Sequence, residues 1–292
     1  MKPLLYQIPK SINEPVRVLK ECHPYFYDNL HFHSEYQIMT ILKGKGTYFI
    51  GDSYGSFNAG DSFILGANLP HFFRSSQEYY ASSNELESQN ISILYSPEAL
   101  GEKFKDLSEL HPINKFLEKS KNGLLVTGKA KEKLLKSSQK ITHKNGFERL
   151  IYLFKMFDFL SKTDELITLS HIAYENNMKV GDTEKINKVI DFLIDNYTKE
   201  ITLADAADVA NLSVNAFCRY FKKHTRKTFS QFLNEIRIGN ACRQLVEEDL
   251  SVKEAAFKSG YYNISYFNRQ FKNITGCTPS TYCKNINYKH LT

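Results

Sequence analysis

Features that mark several whole classes of protein are missing from this sequence. No run approaches the roughly 20 consecutive apolar residues that a membrane-spanning helix needs, so we expect no membrane partner. The N-terminal residues lack the long apolar region and small-residue cleavage site of a secretion signal, which favours a cytoplasmic protein. The five cysteines are scattered and have no C-x-x-C spacing, a pattern that favours reduced thiols over a disulfide framework.

The front of the chain also lacks the residue patterns of common catalytic sites. No Ser/His/Asp or Cys/His arrangement and no phosphate-binding loop can be placed there, so we expect a protein that is not an enzyme. The 292 residues are enough for about two domains. The hydrophobic content of 42% is enough to bury real cores, and the charged content of 24% is ordinary for a soluble protein.

Positive charge is present, and it is concentrated in two short stretches. The net charge is only +6, but residues 215–227 carry five Lys or Arg and no acidic residue. From Tyr261 to the C-terminus there are again several basic residues and no Asp or Glu. One such cluster fits a solvated helix face as well as a binding surface. Two clusters at a matched spacing favour a polyanionic partner.

Around these clusters the chain repeats itself. NAFCRYFKKHT (215–225) and SYFNRQFKNIT (265–275) share two phenylalanines, an arginine and a lysine at equivalent positions. Each copy follows a shorter helical pattern with small inner residues, capped by Thr202 in the first copy and by Ser251 in the second. Ser213 and Asn263 then cap the second helices. The pattern predicts two helix-turn-helix units with buried phenylalanines and outward polar faces.

A single helix is predicted to join the two units. Residues 229–248 would form a helix of about 30 Å, because an α-helix rises about 1.5 Å per residue. That length is close to the roughly 34 Å pitch of B-DNA. Two helices held at this spacing can enter successive major grooves on one face of a duplex, so one chain reads a longer site than one unit alone would.

The front of the chain has a different pattern. Residues 22–95 read as short strands separated by Gly-containing turns, which favours a sandwich or barrel. From Ser96 onward the pattern is helical. Residues 147–162 are apolar over too wide a stripe for one exposed face, which favours core packing and leaves pairing with a partner helix as an alternative. With a boundary in the polar stretch 175–185, we expect domains at 1–95, 96–180 and 181–292.

The stretch GYYNISYFNRQFKNITGCTPSTY (260–282) resembles the signature of the AraC/XylS family of bacterial transcription regulators. The resemblance covers about residues 182–284. It departs from the family at Cys283, where an arginine is usual. Cys218 also stands at an outward position where a hydrogen-bonding residue would read bases better. These two cysteines leave open an interaction module that has lost DNA binding.

The resemblance implies double-stranded DNA as a partner and assigns roles to the outward residues. Arginine bound to guanine through two hydrogen bonds is the commonest specific contact, and lysines more often hold phosphates. It also implies RNA polymerase as a partner and a homodimer. An activator is one expected role, and the sequence leaves open whether transcription rises or falls. The residues expected to contact bases are Asn215, Cys218, Arg219, Ser265, Asn268 and Arg269, and those expected to contact phosphates are Ser213, Lys222, Lys223, Asn263 and Lys272.

Residues 31–73 resemble, more loosely, the small β-barrel or cupin that many members of this family carry. The resemblance implies a small-molecule effector, possibly a carbohydrate, bound by His31, His33, Tyr48 and His71. A metal site is an alternative use of the histidines. Metal cupins usually have a glutamate separated from the second histidine by three or four residues, and this chain has Gln37 and Ile38 at those positions. We therefore expect neither a metal nor another cofactor.

The whole pattern predicts an α+β protein that regulates transcription. The expected fold is an N-terminal cupin-like β-barrel with a helical segment, followed by a C-terminal all-α domain of two helix-turn-helix units joined by a linker helix. The effector would shift the population of DNA-competent arrangements. The alternative is a metal-dependent cupin enzyme with an appended helical domain.

Overall fold

The computed structural model describes residues 14–81, 85–170, 180–225, 227–247 and 250–283. They form two compact units, of which the first ends at Val180 and the second starts at Gly181. Within these ranges no helix combines the length and the apolar character needed to cross a membrane.

The first unit contains the short strands predicted between residues 22 and 95, together with strand residues outside that range. They form a sheet with the order β1-β7-β2-β5-β8-β9 and a smaller sheet with the order β4-β3-β6. The pairing is antiparallel between β1 and β7, β2 and β7, β2 and β5, β5 and β8, β8 and β9, and β3 and β6. The strands are β1 Val16–His23, β2 Tyr36–Lys43, β3 Gly46–Ile50, β4 Ser53–Phe57, β5 Ser62–Leu65, β6 His71–Ser75, β7 Ser88–Tyr95, β8 Leu124–Val126 and β9 Leu166–Thr168.

Successive residues of a strand point to opposite sides of the larger sheet, and both faces of this sheet are buried. Ile38, Ile91 and Ile93 lie on the face covered by helices. Met39 lies on the other face, in a second core that includes residues of the smaller sheet. The two sheets thus enclose a barrel-like interior, and the helices pack outside it.

The helices of the first unit come from the segment predicted to be helical. They are α1 Glu102–Lys105, α2 His111–Ser120, α3 Gly128–Ile141 and α4 Gly146–Ser161. In α4, Leu153, Phe157 and Leu160 are buried in the core, whereas Phe147 is 74% exposed. The same segment also contributes the strands β8 and β9. The sequence does not predict them, because each has only three residues and gives too short a signal.

Every helix or strand assigned in the described part of the second unit is an α-helix, as predicted. Its helices are α5 Val180–Asn196, α6 Leu203–Val209, α7 Val214–Thr225, α8 Phe229–Glu247, α9 Val252–Lys258 and α10 Ile264–Thr275. Both predicted first-helix caps form. Thr202 and Asp205 make a reciprocal capping box at α6, and Ser251 and Glu254 make one at α9.

The repeated sequence gives a repeated structure. In the two turns, the Leu212 amide donates to the Ala207 carbonyl and the Tyr261 amide to the Ala256 carbonyl, both at 3.0 Å. The residue before each amide has a positive φ, +51° at Asn211 and +81° at Gly260. The two helix-turn-helix units therefore form by the same local chemistry.

Helix α8 packs against both helix-turn-helix units, each through a different part of its length. Near its start, Phe232 packs edge-on against Phe221 at 5.4 Å between ring centroids. Further along, Ile238 and Leu245 share a buried core with Phe267 and Phe271. The 19 residues of this helix span about 28 Å at about 1.5 Å per residue.

A close contact at Gly260 connects the second turn to the loop before α6. The Arg237 guanidinium of α8 donates to the Tyr197 carbonyl at 2.8 Å and to the Lys199 carbonyl at 2.7 Å. A Cβ at position 260 would lie 2.5 Å from the same Tyr197 oxygen. Glycine is required here both by its positive φ and by the backbone that faces it.

We expect Gly260→Ala to destabilise the second unit more than Gly276→Ala does. Gly276 also has a positive φ, +78°, but a Cβ there would meet nothing within 4 Å. In the control Gly276→Ala, the free energy of unfolding should fall only by the cost of placing a Cβ in a left-handed conformation, about 1–2 kcal/mol. Gly260→Ala should lose about 1–3 kcal/mol more through overpacking. Calorimetric melting of the full chain measures both, and equal losses would contradict the contact.

Candidate nucleic-acid interface and ligand cavity

The outward face of α7 carries the residues predicted to read bases in the first helix-turn-helix unit. Asn215, Cys218 and Arg219 are all exposed, and the predicted phosphate-contacting residues Lys222 and Lys223 are exposed as well. The phenylalanines of this helix, in contrast, have no exposed surface. Burial of one face thus leaves the polar face available to a partner.

The second recognition helix, α10, repeats this arrangement. Ser265, Asn268, Arg269 and Lys272 are exposed on it, and its phenylalanines are fully buried. The Arg269 guanidinium lies over the Tyr266 ring at 5.2 Å. Such stacking limits the conformations of an arginine before it meets a base.

Tyr266 is a residue that the sequence reasoning did not single out. Its hydroxyl accepts a hydrogen bond from the Asn234 amide of α8 at 3.1 Å. Asn234 in turn accepts from the Tyr261 hydroxyl at 2.7 Å. These hydrogen bonds connect Tyr266, on whose ring Arg269 stacks, to the linker helix α8. The signal available in the sequence was the i, i+3 spacing of an aromatic residue and an arginine on one helix.

The two predicted phosphate-contacting caps lie at the N-termini of the recognition helices. The Ser213 hydroxyl accepts from the Ala216 amide at 3.4 Å, and the Asn263 side chain accepts from the Tyr266 amide at 2.9 Å. Both residues are exposed. Helix N-termini favour anions through their unpaired amides and dipole, so this position suits a phosphate.

A cavity of about 340 Å³ lies in the first unit. Its size is at the lower end of the range for small-molecule sites. One wall is polar and comes from three neighbouring strands, with Glu21 on β1, Gln37 on β2, and Asn90 and Ser92 on β7. Apolar side chains form much of the rest, and Tyr25 and Tyr27 stand at the exposed side.

The polar wall is a continuous hydrogen-bonded chain. His33 Nε2 lies 3.0 Å from the Gln37 side chain, which lies 2.9 Å from the Ser92 hydroxyl. Asn90 donates to Ser92 at 3.0 Å and to the Glu21 carboxylate at 2.9 Å. Hydrogen bonds of this kind fix the direction of each group, so the wall presents a set of oriented donors and acceptors.

Three of the four predicted effector-binding residues form a cluster beside this wall. The rings of His31 and His71 are 4.3 Å apart, and those of His33 and His71 are 5.1 Å apart. His31 and His33 line the cavity. The fourth residue, Tyr48, does not line it among the described residues. Tyr48 is buried in the core, 5.0 Å from the Phe63 ring, so the structure does not support its direct contact with an effector.

Burial keeps this histidine cluster neutral. It lowers the pKa of His31 to about 4, with a smaller contribution from the neighbouring His33. Burial, together with the other two rings, lowers the pKa of His71 well below its ordinary value. Nδ1 of His31 lies 2.8 Å from the Asn29 carbonyl, and Nδ1 of His71 lies 2.8 Å from the Leu69 carbonyl.

The tautomers of these two rings follow from their carbonyl partners. A carbonyl oxygen only accepts, so Nδ1 carries the hydrogen and Nε2 is an acceptor in each neutral ring. His33 Nδ1 lies 2.9 Å from the Glu35 carbonyl, and burial lowers the pKa of His33. On the other side of the ring, His33 Nε2 lies 3.0 Å from Gln37 Oε1, and the Gln37 NH2 group donates to the Ser92 hydroxyl at 2.9 Å.

Sequence reasoning missed Glu21, Asn90 and Ser92 as cavity residues. It began the strands at Cys22, one residue after Glu21, and gave Asn90 and Ser92 no role in a site. A signal was present in the alternation at the start of β7, where Ser88, Asn90 and Ser92 are each separated by one residue and are all buried. As to metals, no group of three or more His, Cys, Asp or Glu in the described ranges is arranged to hold an ion.

We expect the stability of the first unit to fall between pH 6.5 and about 4 because of this cluster. The pKa of His31 falls from 6.5 to about 4 on folding, so the unfolded chain binds more protons in this window. The stabilisation is complete above pH 6.5 and is lost as the pH falls, by about 3 kcal/mol for a fully titrated His31. Calorimetric melting at several pH values measures it.

The matched variants are His31→Asn and His143→Gln, the latter at an exposed histidine of the same unit. Replacing His31 should flatten the pH dependence, and replacing His143 should leave it unchanged. A pH profile that is the same in wild type and His31→Asn would contradict a neutral, partly buried His31.

Comparison with known proteins assigns both parts of the chain. Residues 15–120 match a family model described as an AraC-like ligand binding domain, and residues 206–285 match one described as a helix-turn-helix domain. The raffinose operon transcriptional regulatory protein RafR of Pediococcus pentosaceus is 26% identical over 281 residues, covering 91% of each chain.

Two further matches have the same character. The HTH-type transcriptional activator RhaR of Mannheimia succiniciproducens is 26% identical over 87% of this chain and 86% of its own. A solved DNA-binding transcriptional dual regulator from Escherichia coli K-12 is 29% identical and covers 35% of this chain and 90% of that chain, with a TM-score of 0.32. With an AraC-like ligand-binding domain before a helix-turn-helix domain, the chain is identified as a DNA-binding transcription regulator of the AraC type.

Proposed function

We propose that the chain reads a DNA site with α7 and α10 together and that a small molecule in the 340 Å³ cavity controls this binding. The observation that carries the proposal is the pair of matched helices, each with two fully buried phenylalanines and an exposed basic, polar face. One recognition helix contacts only a few base pairs. Two on a common linker helix give one chain a longer and more specific site.

The roles follow from the chemistry of the exposed groups. Arg219 and Arg269 read guanine through paired hydrogen bonds, and Asn268 has the donor and acceptor that suit adenine. Asn215, Ser265 and Cys218 complete the base-contacting set. The lysines Lys222, Lys223 and Lys272, with the caps Ser213 and Asn263, hold phosphates and fix the register of the protein on the duplex.

For the effector we propose a neutral carbohydrate. The cavity wall offers a carboxylate, two amides and a hydroxyl, and His31 adds a neutral imidazole acceptor. No Lys or Arg lines this cavity in the part of the chain that the structure describes, which disfavours anionic ligands. The related RafR, by its name, regulates a raffinose operon, which supports sugars as the first compounds to test.

The remaining roles concern assembly and location. Phe147 and Ile151 are exposed one turn apart on α4, which supports pairing of two chains through this helix. The working form would be a cytoplasmic homodimer that acts on RNA polymerase as an activator and has no enzymatic activity. The effector must bind the DNA-competent arrangement with a different affinity, because equal affinity for all arrangements shifts nothing.

For DNA binding, we expect Arg219→Ala and Arg269→Ala each to weaken binding to a duplex selected from random sequence. The loss should be about 1–3 kcal/mol and should relax base preference at the positions each arginine contacts. Lys222→Ala should weaken binding to selected and scrambled duplexes alike. It should also reduce the slope of log affinity against log salt concentration by about one. Fluorescence anisotropy across a salt series measures all three.

The control for this series is Lys253→Ala, which removes an exposed charge from α9 instead of from a recognition helix. It should leave the base preference intact. Unchanged affinity in both arginine variants would favour an interaction module that does not read DNA.

For the effector, we expect raffinose or one of its component sugars to raise the melting temperature of the full chain. Mass action gives about 2.7 kcal/mol at a ligand concentration of 100 times Kd. Glu21→Gln and Asn90→Ala should remove the shift, because each deletes an oriented partner in the wall. The exposed control Glu85→Gln should keep it.

Galacturonate tests the charge argument in the same assay. The Glu21 carboxylate in the wall would repel its negative charge, and no Lys or Arg among the described lining residues would balance it, so it should give no shift. A shift with galacturonate but with no neutral sugar would overturn the proposed effector class and leave the DNA-binding proposal untouched.

A further inference from the structure

A second cavity, of about 180 Å³, lies on the helix-covered side of the larger sheet. It shares no described lining residue with the first cavity, because neighbouring residues of the same strands face opposite ways. On β2, Tyr36 lines the second cavity and Gln37 the first. On β7, Tyr95 lines the second and Leu94 the first.

Aromatic rings form much of the wall of this second cavity. Tyr36 and Tyr95 are directly paired across β2 and β7, with their ring centroids 6.4 Å apart. Phe154 of α4 stands nearly perpendicular to Tyr95, at 5.9 Å and 85°. Phe104 of α1 lies 5.6 Å from Phe154 at 72°. Rings tilted in this way turn their faces in several directions around one space.

The charged groups at this cavity are carboxylates. Glu98 and Glu118 both line it, and in the described part of the chain no Lys or Arg does. Both carboxylates act on the Tyr36 hydroxyl and, after burial, are the causes that raise the pKa of Tyr36 to about 12. The two carboxylates therefore give the edge of this aromatic space a negative potential.

Glu118 has a resident cationic neighbour, but the pair is weak. Lys121 donates to its carboxylate at 2.8 Å from one turn along the chain. The two side chains are 48% and 65% exposed, and exposed pairs of this spacing contribute little. A ligand that brings its own positive charge can replace Lys121 without a large loss.

We propose that this cavity binds an organic monocation, namely an ammonium, methylated ammonium or guanidinium group. Rings that present their faces bind such cations through the negative quadrupole of the π system, and the nearby carboxylates balance the charge. An anion would be repelled, and a purely apolar ligand would leave two carboxylates at its edge. The volume suits a cationic head group with a short chain.

The cation has two possible sources with the same chemistry. It is either a free amine or the Lys or Arg side chain of another protein. Titration calorimetry on the full chain distinguishes them, with choline as the free cation and with Nα-acetyl-lysine methylamide and Nα-acetyl-arginine methylamide as side-chain probes. The compound 3,3-dimethylbutan-1-ol is the neutral control, because it has the shape of choline without its charge.

We expect at least one of the three cations to bind and the neutral alcohol to bind at least tenfold more weakly. Choline as the best ligand would identify a free amine as the source, and either amide as the best ligand would identify a partner side chain. Glu98→Gln/Glu118→Gln should weaken the cation roughly tenfold, because it removes the charge with little change of shape. Phe154→Leu should weaken it about threefold or more.

Two controls locate the binding. Glu132→Gln removes an exposed carboxylate on α3 and should change nothing, and Glu21→Gln in the first cavity should also leave cation binding intact. Failure of all three cations to bind, equal affinity for the neutral alcohol, or loss of binding only in Glu21→Gln would each overturn the proposal. The paired Glu→Gln changes lie at exposed positions, so a melting curve shows that the fold is kept.

Discussion

The structure of the second unit depends on the burial of two phenylalanine pairs against one helix. Phe217 and Phe221 pack at the start of α8, and Phe267 and Phe271 pack on its later residues. Burying each ring stabilises the fold by about 1.5–3 kcal/mol, far more than any exposed contact on these helices. Because the rings lie one turn apart on one face, their burial fixes which face of each recognition helix is left to solvent.

In the first unit the corresponding constraint is the alternation of side chains along the strands. One sheet supplies the wall of a polar cavity with Asn90 and Ser92 and the wall of an aromatic cavity with Tyr95. A single shift of register would exchange these two walls. His33 and His71 are buried and His31 is half-buried, and loss of contact with water disfavours a charge on His31 and His71.

The sequence allowed the second unit to be predicted in detail and the first only in outline. Helix caps such as Thr202 and Ser251 act locally, and the i, i+4 phenylalanines have a period that no strand shares, so short windows contain the information. The cavity residues Glu21, Asn90 and Gln37 come from three strands that are distant in sequence. Their meeting depends on sheet order, which local patterns do not encode. Tyr48 shows the converse, since a polar aromatic residue on a strand fits a core as well as a cavity.

The central claim is that both recognition helices bind the same duplex at once. Hydroxyl-radical footprinting of the full chain on a selected site tests it most directly. The account predicts two protected windows on one face of the DNA, separated by about one helical turn of 10 to 10.5 base pairs. Protection of a single window, unchanged when Arg219 or Arg269 is replaced, would contradict it.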